Sequence, residues 1–530
     1  MKGKQQFGGS EICVWLSATA VAFALLLICG LCALVLVNGT MSFWPSDVQR
    51  FELNDGTVAL GQVTEREELP AVDNTAGRSR FQLRRGSRDV YGQDFVWINS
   101  VDVARVDQPA EVMIVERLEW GPFVGFVKSI REGENMIATN FENIDTLLPK
   151  FIAQSQSIRD QVHHLTKGPM QRIAREQSTL TQVISAGRQS PESLERLGQL
   201  EVQVRELEGA IERLRASDKK ELVIQAANGT EQVVPIANIV RSYAPNRMST
   251  MQKVGLYLQK VGEFLWSDPR ESNTEGGVFP AIFGTVLVVI LMSLVATPFG
   301  VIGAIYLREY ATQGKLTSLI RIAVNNLAGV PSIVFGVFGM GFFVYFLGGN
   351  IDRLFFADAL PNPTFGSGGI LWASLTLSLL TVPTVIVATE EGLASIPKHL
   401  REGAYALGAT KFETLWRVIL PSLMPSILTG MILAVARGAG EVAPLMITGV
   451  VKLAPSLPID GEWPFVHLNR KFMHLGFHIF DVGFQSPNVE AARPMVFSTA
   501  LLLLIIVVLL NFGAMKLRSR LRSKFSGHAV

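Results

Sequence analysis

The chain has 530 residues, of which 48% are hydrophobic and only 18% charged, with a formal net charge of +2. It is too long for one ordinary domain and too apolar for a wholly soluble protein. The overall charge says nothing about nucleic acid, and no such partner is expected.

The apolar residues are clustered. Nearly uncharged runs occur at 12–37, 278–307, 322–349, 369–389, 422–450 and 494–515, each long enough to cross ~30 Å of hydrocarbon as a helix. Six spans are expected, with an N-terminal transmembrane segment 1–40 and a five-helix core 278–515. The first run is too long for a signal-peptide core and is closed by no small-residue cleavage pattern, so it reads as a retained span. Cys13, Cys29 and Cys32 all fall in it. Thiolates form poorly in hydrocarbon, and these cysteines read as small apolar residues instead of a redox pair.

Lys and Arg near span ends mark the cytoplasmic side. Lys2, Lys4, Arg308, Lys315, Arg321, Lys398, Arg401, Lys411 and Arg417, with the basic tail 516–530, outweigh Arg353, Lys452, Arg470, Lys471 and Arg493 in the alternate loops. Both termini are therefore expected on the cytoplasmic side, with residues 41–277 outside.

That long insertion is polar. Residues 48–135 alternate apolar and polar between turn signals such as Asn54-Asp55-Gly56 and Gly121-Pro122, which predicts short strands. Over 141–217 the period becomes helical. Ile144, Leu148, Phe151, Ile158, Val162 and Leu165 form one seam, and Leu197, Leu200, Val204, Leu207, Ile211 and Leu214 form a second in heptad order. Gly168-Pro169 is expected to kink or interrupt the first arm. Ser190 and Pro191 should open the second. Two such arms predict an antiparallel coiled-coil hairpin, serving either as a docking arm or as a spacer. Strands resume over 220–242, with Asn228-Gly229 as a hairpin turn. The insertion thus reads as an α+β extracytoplasmic domain. His163 and His164 fit a solvated helix face.

The segment 390–421 is the most informative. It runs from Glu390 through Ile396-Pro397-Lys398 to Glu402-Gly403-Ala404, Gly408, and Val418-Ile419-Leu420-Pro421. This order resembles the E-A-A-x-x-x-G-x9-I-x-L-P loop of ABC importer permeases, departing from it at Gly403 and Val418. The resemblance implies an all-α polytopic membrane protein of the ABC type I importer permease fold, with a short helix that fits a separate ATPase dimer. Small residues allow close approach to such a partner, Gly408 suits a helix end, and Pro421 suits a helix start. No G-x-x-x-x-G-K-[ST] occurs in the chain; no cofactor is expected here, and ATP would be hydrolysed on a partner chain.

Three further stretches, Thr297-Pro298-Phe299-Gly300, Asn326-Leu327-Ala328-Gly329-Val330-Pro331 and Ala436-Arg437-Gly438-Ala439-Gly440-Glu441-Val442-Ala443-Pro444, resemble the phosphate-specific importer permeases, on the side of the PstA subunit. This implies a PstC-like partner permease, a periplasmic phosphate-binding protein, surrounding lipid, and phosphate import without covalent chemistry. The resemblance covers about 278–515 and not the insertion.

Arg437 and Glu441 are the expected pathway residues. Ionisable groups within a span are costly and face a bundle interior or a water path. Four apart on one helix they would share a face. Arg437 would lie roughly 24 Å along the helix from Pro421, toward the outer side. A guanidinium suits an oxyanion because it donates two parallel hydrogen bonds and stays charged. The competing reading is a structural ion pair. Gly438 and Gly440 would be close-approach points for the partner permease.

His467, His474 and His478 could share a helix face and suggest zinc, but the interleaved Trp463, Phe465, Phe472, Phe477 and Phe480 favour an interfacial amphipathic helix and no metal. Two alternatives to phosphate import remain: import of another oxyanion such as sulfate, molybdate or phosphonate, and a membrane-anchored coiled-coil scaffold.

Overall fold

The computed structural model of the chain describes residues 9–68, 79–185, 190–461, 463 and 465–526. Lys2, Lys4 and the link 186–189 between the two arms lie outside them. Two compact units emerge: Met1–Ser42 with Val278–Phe356 and Asn362–Val530, and Phe43–Gly277 with Ala357–Pro361. Helix α1 (Gly9–Met41) belongs to the first of these.

In the unit Phe43–Gly277, strands β1 (Gln49–Leu53), β2 (Val58–Glu68), β3 (Ser79–Arg84), β4 (Phe95–Asn99) and β5 (Val103–Asp107) form one antiparallel sheet in the order β4-β3-β2-β1-β5. The Asn54-Asp55-Gly56 turn joins β1 to β2. Gly56 takes φ +83°, and the Asp55 carboxylate accepts from the Thr57 backbone N–H and hydroxyl at 2.8 and 2.7 Å, a local closure that Asp favours. Strands β6 (Val112–Arg117), β7 (Phe123–Glu132), β8 (Asn135–Ala138), β9 (Lys220–Gln225), β10 (Glu231–Pro235) and β11 (Ile239–Tyr243) form a second sheet, ordered β10-β9-β7-β6-β11 with β8 on β7. Asn228 and Gly229, at φ +86°, make the β9–β10 turn.

Between β8 and β9 the chain runs into α2 (Phe141–Leu165), a π-helical turn Thr166–Met170, α3 (Gln171–Ser185) and α4 (Pro191–Ala216). Ile144, Leu148 and Ile152 of α2 are buried with Phe123, Leu222, Ile224 and Ile239 of the sheet. The first half of the anticipated seam therefore packs on strands instead of on a second helix. Gly168-Pro169 does not end the arm, because Pro169 falls in the widened turn, whose looser pitch accommodates its missing N–H. Ser190 caps α4 through a reciprocal box with Ser193, with Pro191 at the first position. Leu200 and Ile211 of α4 are buried, and Leu197, Val204, Leu207 and Leu214 are half-buried while their neighbours are exposed. Arg196 bridges to Glu176 of α3 at 2.7 Å.

Helix α5 (Thr250–Trp266) closes this unit. Its Lys260 and Glu263 enter a cluster with Glu116, Arg241, Tyr243 and Arg270. Arg241 lies 3.2 Å from Glu116 and 2.6 Å from Glu263, Lys260 lies 2.6 Å from Glu116, and Arg270 lies 2.7 Å from Glu263. Burial alone would raise the Glu116 pKa, and Lys260 and Arg241 reverse this, holding it below the usual value. Glu275 is 3.8 Å from Arg84, and burial pushes it up to about 7.

Among the described residues the other unit holds six helices long and apolar enough to cross a membrane: Cys13–Met41, Phe279–Tyr310, Ser332–Phe355, Ile370–Ser395, Lys411–Gly440 and Val489–Arg520. Within or beside them lie α6 (Phe279–Ile305), α7 (Lys315–Leu327), α8 (Ser332–Phe338), α9 (Gly349–Phe355), α10 (Ile370–Ser395), α11 (Lys398–Ala406), α12 (Lys411–Thr414), α13 (Leu420–Gly440), α14 (Ala443–Thr448), α15 (Leu475–Phe480) and α16 (Val489–Ser526). Two of the expected span limits move. Residues 322–327 belong to the separate helix α7, which ends where Pro331 removes an N–H and restarts the chain at α8. The fifth span begins earlier, at Lys411, and stops at Gly440 instead of continuing to 450.

Helix α10 is central, with Ala373, Leu377 and Leu380 in one core with Val288 and Met292 of α6 and Val435 and Ala439 of α13. Its buried Ser374, Thr376, Ser378 and Thr381 each donate to the carbonyl four residues back, so these four hydroxyls are satisfied within the helix, whereas the buried Thr389 hydroxyl has no such partner. Helix α1 meets α16 at Gly39, whose carbonyl accepts from Ser498 at 3.1 Å. Its three cysteines are exposed free thiols.

Candidate functional site

Helix α10 ends at Ser395, Pro397 takes an extended conformation, and α11 follows. Gly408 at φ +80° ends α11, with Leu407 N–H donating to Gly403 O and Ala409 N–H to Ala404 O. A side chain at Gly408 would be strained, which is why glycine suits this place. None of the residues of α11 is buried. Glu402, Gly403 and Gly408 are exposed, Ala404 is half-buried, and Leu407 is 90% exposed. Gly403, Ala404, Leu407 and Gly408, with Leu400, Thr414 and Arg417, line an open groove of about 570 Å³. This is a surface of small and apolar residues offered outward.

Of two ion pairs that the sequence did not reveal, one ties α11 to the core and the other joins α7 to α10. Arg401 reaches back to Glu309 at 2.9 Å and to the Leu393 carbonyl at 3.1 Å. Arg321 of α7 bridges to Glu390 of α10 at 3.0 Å and donates to the Leu307 carbonyl. Lys411 also donates to the Glu309 carbonyl and sits over the Tyr310 ring. Glu309-Tyr310 and Glu390 were legible as charges beside spans, but nothing in their spacing paired them across separate helices.

Leu420 is half-buried, packed with Leu423 and Ile419. Pro421 stands in the first turn of α13, as expected, but α13 continues an earlier helical stretch. The helical stretch begins at Lys411, where Thr410 and Glu413 form a capping box, and passes through a π-helical turn Leu415–Ile419 that leads directly into Leu420 and Pro421. The T-x-x-E signal at 410–413 could have located this start.

Arg437 and Glu441 are brought together, Nε to Oε1 at 3.8 Å. They are not on one helix, because α13 ends at Gly440 and Glu441 is extended at φ −82°, ψ 130°. Arg437 also donates to the Ala328 carbonyl at 3.2 Å, at the break between α7 and α8. The guanidinium thus sits among a carboxylate, a freed carbonyl and two helix ends, with about a third of its side chain exposed. Gly438 does not face outward: a Cβ there would come 2.4 Å from Met292 Sδ of α6, so its close approach is internal. Gly440 has open space around it.

The three histidines do not share a helix face. His467 pairs with Asp460 at 2.9 Å in an irregular segment. His474 caps α15, its Nδ1 accepting from Gly476 N–H, and it is buried, as is His478. The segment is no interfacial helix: Phe472 is fully buried, and the Leu468 and Arg470 carbonyls accept from Leu371 and Ile370 at the start of α10. Buried partners for backbone groups won over amphipathic periodicity here. Among the described residues no group of three or more His, Cys, Asp or Glu is placed to hold a metal.

Residues 296–523 match the model of the family described as binding-protein-dependent transport system inner membrane component. The probable ABC transporter permease protein YqgH of Bacillus subtilis is 35% identical over 204 residues, 37% of this chain and 62% of that one. The probable ABC transporter permease protein YqgI of the same organism is 31% identical over 50% of this chain and 86% of its own length. The phosphate transport system permease protein PstA 1 of Mycobacterium tuberculosis is 34% identical over 46% of this chain and 71% of its own length. Such proteins are permeases and not themselves enzymes. The chain therefore belongs to the binding-protein-dependent transport system inner membrane component family, as an ABC importer permease of the PstA type.

Proposed function

We propose that this chain is the PstA-like half of a heterodimeric permease that imports inorganic phosphate across a bacterial inner membrane. The observation that carries the reading is Arg437, a guanidinium held at the broken ends of two helices by Glu441 at 3.8 Å and the Ala328 carbonyl at 3.2 Å. Both interactions are long or neutral, so an arriving oxyanion can take the guanidinium's donors while Glu441 competes for them. Such competition keeps binding weak enough for release. Relatives named as phosphate transport permeases support the choice of anion.

In this reading a PstC-like permease supplies the other wall of the path, a periplasmic phosphate-binding protein delivers the anion, and an ATPase dimer drives the cycle. The exposed face of α11, with Glu402, Gly403, Ala404 and Gly408, together with Leu420 and Pro421 farther along the chain, is the surface that receives the ATPase. The excess of Lys and Arg at the Arg321, Arg401 and Arg417 ends supports a cytoplasmic position for that face and both termini, with Phe43–Gly277 outside. The inward seam of α4 and the Arg196–Glu176 bridge support a coiled-coil hairpin for the two arms.

Labelled-phosphate uptake into proteoliposomes holding the chain, its partner permease, the ATPase, the binding protein and ATP tests the substrate. Uptake that excess sulfate or molybdate fails to suppress is expected. Uptake of sulfate or molybdate in its place would move the assignment to that oxyanion.

A further inference from the structure

Helix α5 is built the reverse of an ordinary surface helix. Its three charged residues all turn inward: Lys253 to Asp47 at 2.5 Å, Lys260 to Glu116 at 2.6 Å, and Glu263 to Arg241 at 2.6 Å and Arg270 at 2.7 Å. Its outer face carries no charge. Met251 is 80% exposed, Leu258 62% and Trp266 74%, with Val254, Gly255 and Gly262 between them. A water-facing helix would place its charges on the opposite side.

The inner side of the same helix is fastened to the two places where this unit joins apolar helices. The Phe43 and Phe264 rings lie 5.1 Å apart, and those of Trp44 and Tyr257 lie 6.1 Å apart. Phe43 and Trp44 follow almost directly on Met41, the last residue of the first apolar helix. At the other end, a Cβ on Gly277 would meet the Ser267 and Glu263 carbonyl oxygens at 2.2 and 2.6 Å, and Phe279, where the second apolar helix starts, comes just after it. Two or three residues of chain reach about 10 Å at most. A spanning helix ends at the headgroup layer, so the C-terminal half of α5, from Tyr257 to Trp266, is tied within that reach of the layer by both junctions. Trp44 and Trp266, both partly or largely exposed, are the residue type that settles at this depth.

We infer that α5 is an in-plane membrane helix whose uncharged face, centred on Leu258 and bounded by Met251 and Trp266, is embedded in the headgroup region of the lipid bilayer. Its polar side faces protein instead of water, so it needs none of the basic fringe that free-standing interfacial helices carry. Lipid contact would pin the frame from which the two helical arms extend.

The test uses the full chain in proteoliposomes, with Cys13, Cys29 and Cys32 replaced by Ser and one spin label at Leu258→Cys, at Met251→Cys, or at Glu231→Cys on the exposed strand β10. Collision with oxygen, which concentrates in lipid, is compared with collision with a water-soluble nickel chelate. The oxygen-to-nickel ratio is expected to be several-fold higher at 258 and 251 than at 231. A ratio at both positions equal to that at 231 would overturn the inference. Shielding of both from oxygen and nickel alike would overturn it in favour of a protein partner.

Discussion

Arg401, in the helix that presents the small-residue face, is bound to Glu309 at the far end of the second apolar helix, 2.9 Å apart and with less than a fifth of either side chain exposed. The outward-facing segment is thus clamped by a charge pair to a helix of the core, and on the proposed function a push on α11 would pass through that pair.

Breaking the clamp should therefore uncouple transport from hydrolysis. A buried charge left without its partner costs more than the pair contributes. In Arg401→Ala, where Glu309 is stranded, uptake should fall by about tenfold, the equivalent of about 1.4 kcal/mol, while the complex still assembles and hydrolyses ATP. Measuring uptake and ATPase rate on the same preparation separates the two. Parallel loss of both would assign Arg401 to assembly instead.

The face itself should be sensitive to charge and to backbone strain. Leu407→Asp leaves folding intact, because Leu407 is 90% exposed, but should abolish co-purification of the ATPase. Gly408→Ala forces a side chain into φ +80° at a cost of about 1 kcal/mol and should lower ATPase association several-fold. Unchanged co-purification of both variants would contradict the docking assignment.

Glu275 supplies a pH signature. Its pKa is raised by burial to about 7 despite Arg84, from an ordinary 4.5. The protonated carboxyl is the form the fold favours, so its contribution is fully present below about 4.5 and is lost as pH rises through about 7. Thermal unfolding of the purified chain should fall by a few degrees between pH 5 and pH 8 on this account. Glu275→Gln should flatten that part of the profile. An identical slope in the variant would show that the titration lies elsewhere.

Gly284 tests the packing of the return segment. A Cβ there would stand 2.0 Å from the Met473 carbonyl oxygen, a backbone atom that cannot swing aside. Gly284→Ala should cost at least about 1–3 kcal/mol through overpacking and lower the yield of folded protein in detergent. Wild-type yield and melting would mean that the segment 465–474 shifts freely.

The six apolar helices were legible because about 20 uncharged residues admit few other uses. Their limits were less so. The apolar start of the run 322–349 belongs to α7, and only the Ala328–Pro331 break separates it from the span. Thr410 and Glu413, not Pro421, set the start of the fifth. The α11 face was readable because small residues and a helix-ending glycine are local features. The clamps Arg401–Glu309 and Arg321–Glu390 were not, since pairing across helices leaves no periodic trace. His474 and Phe472 misled for a related reason: their amphipathic spacing suggested a surface helix, while unpaired backbone groups at the start of α10 drew the segment inward.

The most direct test of the central claim is phosphate uptake by the reconstituted complex carrying Arg437→Gln, beside the wild type. Glutamine keeps most of the volume and a polar end but removes the positive charge. Loss of uptake with assembly and ATP hydrolysis intact is the expected result. Undiminished phosphate uptake would make the Arg437–Glu441 pair a structural one and contradict the account.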